Sequence, residues 1–124
     1  ADTLAAIRHP KIQIISHPDD GETQLDYGQI VPAAKEHNTL LEVNNNALRK
    51  MGRRLRCGEN YREMLRLCKK YEAPVLFSSD AHDPGDVRNM RYIRSFMAEL
   101  DFPGELVVNT SAQRFLTFLE TGRL

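Results

Sequence analysis

The sequence predicts an α/β fold assembled from strand–helix units, on three observations. Short β-branched, apolar runs alternate with longer segments whose apolar residues recur at helical spacing. The runs have the length and near-continuous apolar character of parallel strands covered on both faces. Each run also ends in a polar residue followed by turn chemistry, as strands do when they deliver functional side chains from their C-terminal ends.

The first run, Ile12-Gln13-Ile14-Ile15-Ser16, leads straight into His17-Pro18. From Tyr27 to Asn38, apolar Ile30, Val31 and Ala34 mark a short helix interrupted early by Pro32. Thr39-Leu40-Leu41-Glu42-Val43 is the second strand and runs into Asn44-Asn45-Asn46, a turn by default. From Asn60 to Glu72, the residues Tyr61, Met64, Leu65, Cys68 and Tyr71 keep the i, i+3, i+4, i+7 pattern, and Asn60 with Glu63 forms a capping-box variant at its start. The third strand, Val75-Leu76-Phe77, follows Ala73-Pro74 and reaches Ser78-Ser79-Asp80-Ala81-His82. From Asp86 to Leu100, a stripe of Met90, Ile93, Met97 and Leu100 predicts another helix, ended by Asp101-Phe102-Pro103-Gly104. A fourth strand, Leu106-Val107-Val108, ends at Asn109. The closing helix runs from Ser111 to Thr121, with Ser111 as N-cap, Gly122 just past its end, and Phe115, Leu116 and Leu119 as its buried face.

Four strands finishing on polar residues place those residues on one rim, so His17, Asn44, Asp80 and His82 could share a site. An imidazole and a carboxylate two positions apart, as in Asp80-Ala81-His82, suit a divalent metal better than a core. Taken alone, such a pair also serves to cap backbone groups in a loop. Asp19 and Asp20 beside His17 could join a metal site, but Asp and Gly are standard turn formers and the reading as a cap for the next helix is favoured. His37 reads as a surface residue, and His9 sits on the opposite rim from His17. The Asn44–46 run offers second-shell hydrogen bonding to a metal ligand, through Asn44 and Asn45, as the sharper alternative to a turn.

Composition limits the partners. The chain has 124 residues, 41% of them hydrophobic, enough for one domain of ordinary size. Lys+Arg and Asp+Glu both number 17, so no global field draws the chain to nucleic acid or to a membrane surface. No apolar stretch approaches the ~20 residues of a transmembrane helix, no signal-peptide pattern stands at the start, and a cytoplasmic location is the default expectation. Cys57 and Cys68 are too few for a disulfide framework, and Cys68 falls on an apolar helix stripe as a small core residue. The basic loop Arg49-Lys50-Met51-Gly52-Arg53-Arg54-Leu55-Arg56 follows the second strand's polar end. Arg is a natural fork for phosphate, so Arg49 and Arg54 are candidate substrate-binding residues, against the plainer reading of a solvated loop. Without interleaved aromatics to stack bases, the loop does not suggest a nucleic-acid site.

The chain begins Ala1-Asp2-Thr3 and reaches its first strand almost at once. Three or four strand–helix units are about half of what a closed barrel needs, and a half-barrel leaves an open edge. The sequence therefore looks like a piece of something larger. The edge is expected to be covered by the rest of such a barrel or by a second copy, through Ile14, Leu41 and Leu76 or their neighbours.

Ile15-Ser16-His17-Pro18, Leu41-Glu42-Val43-Asn44-Asn45 and Ser79-Asp80-Ala81-His82, in this order and spacing, resemble the C-terminal half of the polymerase and histidinol phosphatase (PHP) family, and in particular its stand-alone bacterial phosphoesterases. The resemblance extends over nearly the whole chain, residues 1–124, through Asn60-Tyr61 and the Asn109-Thr110-Ser111 to Phe118-Leu119-Glu120 ending. It implies the C-terminal portion of a distorted seven-stranded, TIM-like α/β barrel. It also implies two or three divalent metal ions (zinc, manganese or iron) on the strand C-terminal rim. His17 matches a metal-ligating histidine of the family, and Asp80 and His82 match a metal-ligating pair. The family's N-terminal His-x-His has no counterpart among His9, His17, His37 and His82, and Asp19-Asp20-Gly21 stands where the family usually has Gly after His-Pro. The implied function is a fragment of a metal-dependent phosphatase or phosphoesterase, a hydrolase of phosphomonoesters or small nucleotide phosphodiesters, inactive on its own. The alternative is a non-catalytic regulatory or assembly domain with an incomplete metal site.

Overall fold

The computed structural model describes residues 2–124; Ala1 lies outside the described residues. Helix α1 (Asp2–Arg8) precedes β1 (Ile14–Ile15), and α2 (Tyr27–His37) joins β1 to β2 (Leu40–Asn44). Helices α3 (Asn45–Arg49) and α4 (Cys57–Tyr71) lead to β3 (Val75–Ser78), after which come α5 (Arg91–Leu100) and α6 (Ala112–Thr121). The strands form one parallel sheet in the order β1-β2-β3, with Ile14 opposite Leu40, Leu41 opposite Val75 and Asn44 opposite Ser78. Sequential order is what helical crossovers give when each strand returns beside its predecessor. The architecture is α/β and compatible with part of a larger α/β domain.

Strand β2 is the central strand, and all five of its residues are buried. Its alternation divides the core. Leu41 and Val43 pack with Val31, Tyr61, Met64, Val75 and Ile93 beneath the helices, whereas Leu40 joins Val108 and Phe118 in a smaller cluster. Strand periodicity puts Glu42 on the face of Leu40, away from the helical core. Leu41 is fully buried, so of the three residues expected at an association surface only Ile14, 38% exposed, and part-buried Leu76 retain accessible area.

Several expectations are corrected in detail. Helix α1 was not expected; its Ile7 is buried and its carbonyl accepts from Thr39 Oγ1 at 3.2 Å, tying the segment to the start of β2. Pro32 lies inside α2 without ending it. The α4 helix starts at Cys57, and Asn60 does not cap it, because its side-chain amide donates to the Asp19 carbonyl at 2.9 Å. Tyr71, at the end of the predicted stripe, is 39% exposed. The helix expected from Asp86 begins only at Arg91, after a single 3-10 turn at Pro84–Asp86.

The fourth strand does not form. Leu106-Val107-Val108 lies across two 3-10 turns and makes one parallel bridge, Val75 with Val107. Asn109 explains why: its Oδ1 accepts from Phe77 N–H at 2.9 Å and its Nδ2 donates to Phe77 C=O at 2.7 Å. One side-chain amide thus satisfies both backbone groups that a neighbouring strand would have paired. In α6, Ser111 caps as expected, accepting from Arg114 N–H at 3.1 Å, and Gly122 follows with φ of 70°. Its buried face is rotated, however, with Phe118 innermost and Leu116 56% exposed.

Both thiols are buried. Desolvation pushes the Cys57 pKa up to about 12, aided by neighbouring Asp19, and desolvation alone does the same for Cys68. The folded chain keeps these protons where the unfolded chain releases them. Stability should therefore fall as pH rises above the ordinary thiol pKa of about 8.5, by up to about 1.4 kcal/mol per pH unit for each thiol. Tyr27 and Tyr61, also raised chiefly by burial, add to the same trend at higher pH. Urea midpoints that stay flat on going from neutral to strongly alkaline pH would refute it. Among the described residues, no helix is long and apolar enough to cross a membrane.

Candidate functional site

The C-terminal ends of β1 and β3 bring His17 and Asp80 together. His17 Nε2 lies 3.8 Å from Asp80 Oδ2, although the residues are far apart in sequence. Both have φ of 49°, in the left-handed region that non-glycine residues enter at a cost of roughly 1–3 kcal/mol. Hydrogen bonds to the largely buried Glu42 carboxylate hold the His17 turn in this conformation. Glu42 Oε1 accepts from the His17 backbone N–H at 3.1 Å, and the Ser16 hydroxyl donates to the same oxygen at 3.2 Å. Asn44 Nδ2 donates to it at 3.3 Å. Glu42 is only 9% exposed, so its carboxylate functions as an internal clamp.

Asn44 also caps α3, accepting from Ala47 N–H at 2.8 Å, and its own N–H donates to the Tyr61 hydroxyl at 3.0 Å. Asn45 Oδ1 accepts from Tyr92 and Ile93 N–H groups at 2.9 and 3.0 Å, capping α5 from another element. Asn46 Oδ1 accepts from Arg49, with Nη2 at 2.6 Å. Asn44 and Asn45 are thus buried helix caps, Asn46 holds the Arg49 guanidinium, and Asn44 connects to His17 through Glu42.

The loop after His17 is anchored more firmly than its composition indicates. The Tyr27 hydroxyl donates to the Pro18 carbonyl. Asp19 is fully buried, and its Oδ2 accepts from Arg54 Nη2 at 3.2 Å and Nε at 3.3 Å. Asp20 behaves as a turn residue, accepting from Glu22 N–H at 2.9 Å. A side chain at Gly21 would place Cβ 2.0 Å from the Leu55 carbonyl oxygen, so only glycine lets this turn lie against the basic loop. Both candidate arginines are therefore engaged within the chain, Arg54 with Asp19 and Arg49 with Asn46, and Arg49 remains at the surface.

His82 is exposed, and its Nδ1 lies 2.8 Å from the Asp80 carbonyl oxygen. Among the described residues, no three His, Cys, Asp or Glu side chains gather as a metal cage. The His17–Asp80 pair has suitable spacing and lies on the accessible side of the ring, whereas Asp19, 3.6 Å from His17 Nδ1, is completely buried. Two donors on one tetrahedral zinc stand about 3.4 Å apart, given metal–ligand distances near 2.1 Å, and a small side-chain adjustment from 3.8 Å reaches that. Asp19, for which the sequence favours a cap over a place in a metal site, instead pairs with Arg54, and Glu42 and Tyr61 do not stand out as site residues in the sequence. A carboxylate inside an apolar strand was the available signal for Glu42, whereas the Asp19–Arg54 pair joins residues 35 apart and leaves no local pattern.

Fold and site together define an α/β chain that presents an imidazole–carboxylate pair at the C-terminal ends of the two strands flanking β2. It is similar to a protein named a probable phosphatase in Caldicellulosiruptor saccharolyticus, 39% identical over 118 residues, covering 94% of this chain and 47% of that protein. Probable phosphatases of Caldicellulosiruptor bescii (36% identical, 94% of this chain, 48% of theirs) and Clostridium novyi (31%, 98% and 49%) match similarly. The chain spans about half the length of the curated relatives it matches. No protein-family model matches it.

Proposed function

We propose that the chain is the C-terminal part of a metal-dependent phosphatase of the polymerase and histidinol phosphatase type, contributing part of a barrel and part of a multinuclear metal site. The observation that carries this is the juxtaposition of His17 Nε2 and Asp80 Oδ2 at 3.8 Å. The names of the similar proteins, probable phosphatases, support the phosphatase reading. His17 and Asp80 would hold a divalent ion, with His82 recruited by a turn of its exposed side chain. The donor set, imidazole with carboxylate, suits zinc or manganese. Such ions supply charge to phosphate oxygens and lower the pKa of a bound water.

The chain's own residues then have distinct tasks. Glu42 fixes the backbone at His17, so the imidazole is presented from a rigid turn. Arg49, on the same rim, would attract the phosphate of a small phosphomonoester or phosphodiester, while Arg54 holds the loop and adds positive potential. The remaining ligands would come from the other half of the domain.

Zinc titration by calorimetry tests this. The chain should bind zinc weakly, since few donors are present, and His17→Ala, Asp80→Ala and His82→Ala should each weaken or abolish binding. Unchanged binding in these variants would count against the assignment. The 124-residue chain should hydrolyse a generic phosphomonoester far more slowly than a full-length relative. Equal turnover with added manganese would show the half-site reading to be wrong.

A further inference from the structure

We propose that Asp19 is a positioning residue for His17: its carboxylate accepts a hydrogen bond from Nδ1–H, so that the neutral imidazole keeps its proton on Nδ1 and a lone pair on Nε2. His17 Nδ1 lies 3.6 Å from Asp19 Oδ1, and both atoms are buried without a hydrogen-bond partner. Two buried polar atoms of complementary type, slightly beyond bonding distance, need only a small ring rotation to satisfy each other. The Cys57 thiol also neighbours the Asp19 carboxylate, but within hydrogen-bonding geometry neither atom has a partner.

The carboxylate is held in place for this. Its other oxygen, Oδ2, accepts two Arg54 N–H groups, its backbone carbonyl accepts from Asn60, and its side chain is fully buried. The imidazole is asymmetric in the same sense. Nδ1 is enclosed, while Nε2 points to Asp80, whose side chain is 34% exposed. A neutral imidazole has one N–H to place between two carboxylates. An unmet buried acceptor costs more than one that water can reach, so the proton belongs on Nδ1. Fixing one ring nitrogen is how a carboxylate orients a histidine whose other nitrogen must act as a donor.

This inference adds a residue to the proposed metal site and rests on that reading only for its consequence, not for the tautomer itself. Nitrogen-15 spectra of the histidine rings at a pH where they are neutral report the tautomer directly, with His17→Gln assigning the signals. The wild-type chain should show Nδ1–H, the reverse of the form that free histidine favours. Asp19→Asn is nearly isosteric and should invert it. Arg54 would hold the single amide oxygen, leaving the amide N–H facing Nδ1, which must then be the acceptor. Wild-type Nε2–H, or a tautomer unmoved by Asp19→Asn, would overturn the proposal.

Zinc titration separates the two claims. Asp19→Asn should lower zinc affinity by about 10–100-fold, and equal affinity despite an inverted tautomer would refute the consequence for metal binding. A chain that shows Nδ1–H but binds no zinc would sink the metal reading and leave the positioning role of Asp19 standing.

Discussion

Tyr61→Ala is expected to destabilise the chain by about 3–5 kcal/mol, the range for removing a buried aromatic ring. The ring is completely buried in the main core with Val31, Leu41, Met64 and Val75. Its hydroxyl accepts the Asn44 N–H at 3.0 Å, where β2 gives way to α3. Alanine would leave a cavity and strand that N–H together. Tyr61→Phe separates the two effects, because it keeps the ring and removes only the acceptor, for a loss of about 1–3 kcal/mol. Urea unfolding of both variants measures this. A loss below about 1 kcal/mol for the alanine variant would mean that the core closes over the missing ring, contrary to its close packing.

Arg54→Ala should cost about 3 kcal/mol, the low end for breaking a buried ion pair. Asp19 is completely buried, and Arg54, about one-third exposed, is the cation against it. Removing the guanidinium leaves a buried carboxylate whose compensation is limited to water entering at the surface side. The double variant Arg54→Ala with Asp19→Asn should recover part of the loss, with a coupling energy of about 1–3 kcal/mol between the two sites. If Arg54→Ala costs less than about 1 kcal/mol, the pair behaves as a surface salt bridge, and Asp19 does not depend on it. The loop 49–56 would then be free to serve a ligand instead of anchoring the His17 turn.

How much was legible beforehand varies with the range of the interaction. The α/β class, the three strands that form and the positions of α2, α4, α5 and α6 follow from local periodicity, and Ser111 and Gly122 marked the ends of α6 through cap chemistry within a few residues. The placement of His17 and Asp80 at strand ends was legible for the same reason, because parallel strands finish on one rim. The fourth strand failed because Asn109, a residue outside the run, takes both backbone groups of Phe77. Asn60 is an N-cap by its spacing alone, yet its amide is drawn to Asp19 by a contact 41 residues away.

The sequence by itself determined the secondary-structure alternation and which chemical groups stand at the strand ends, since both depend on neighbours a few positions apart. Only the tertiary structure decided what those groups do. Asn45 caps a helix 47 residues further on, Glu42 clamps the His17 backbone, and Asp19 pairs with Arg54 and faces His17. Polar side chains buried at the rim must find partners wherever folding brings them. That choice is made by distances in space, and no spacing along the chain encodes it.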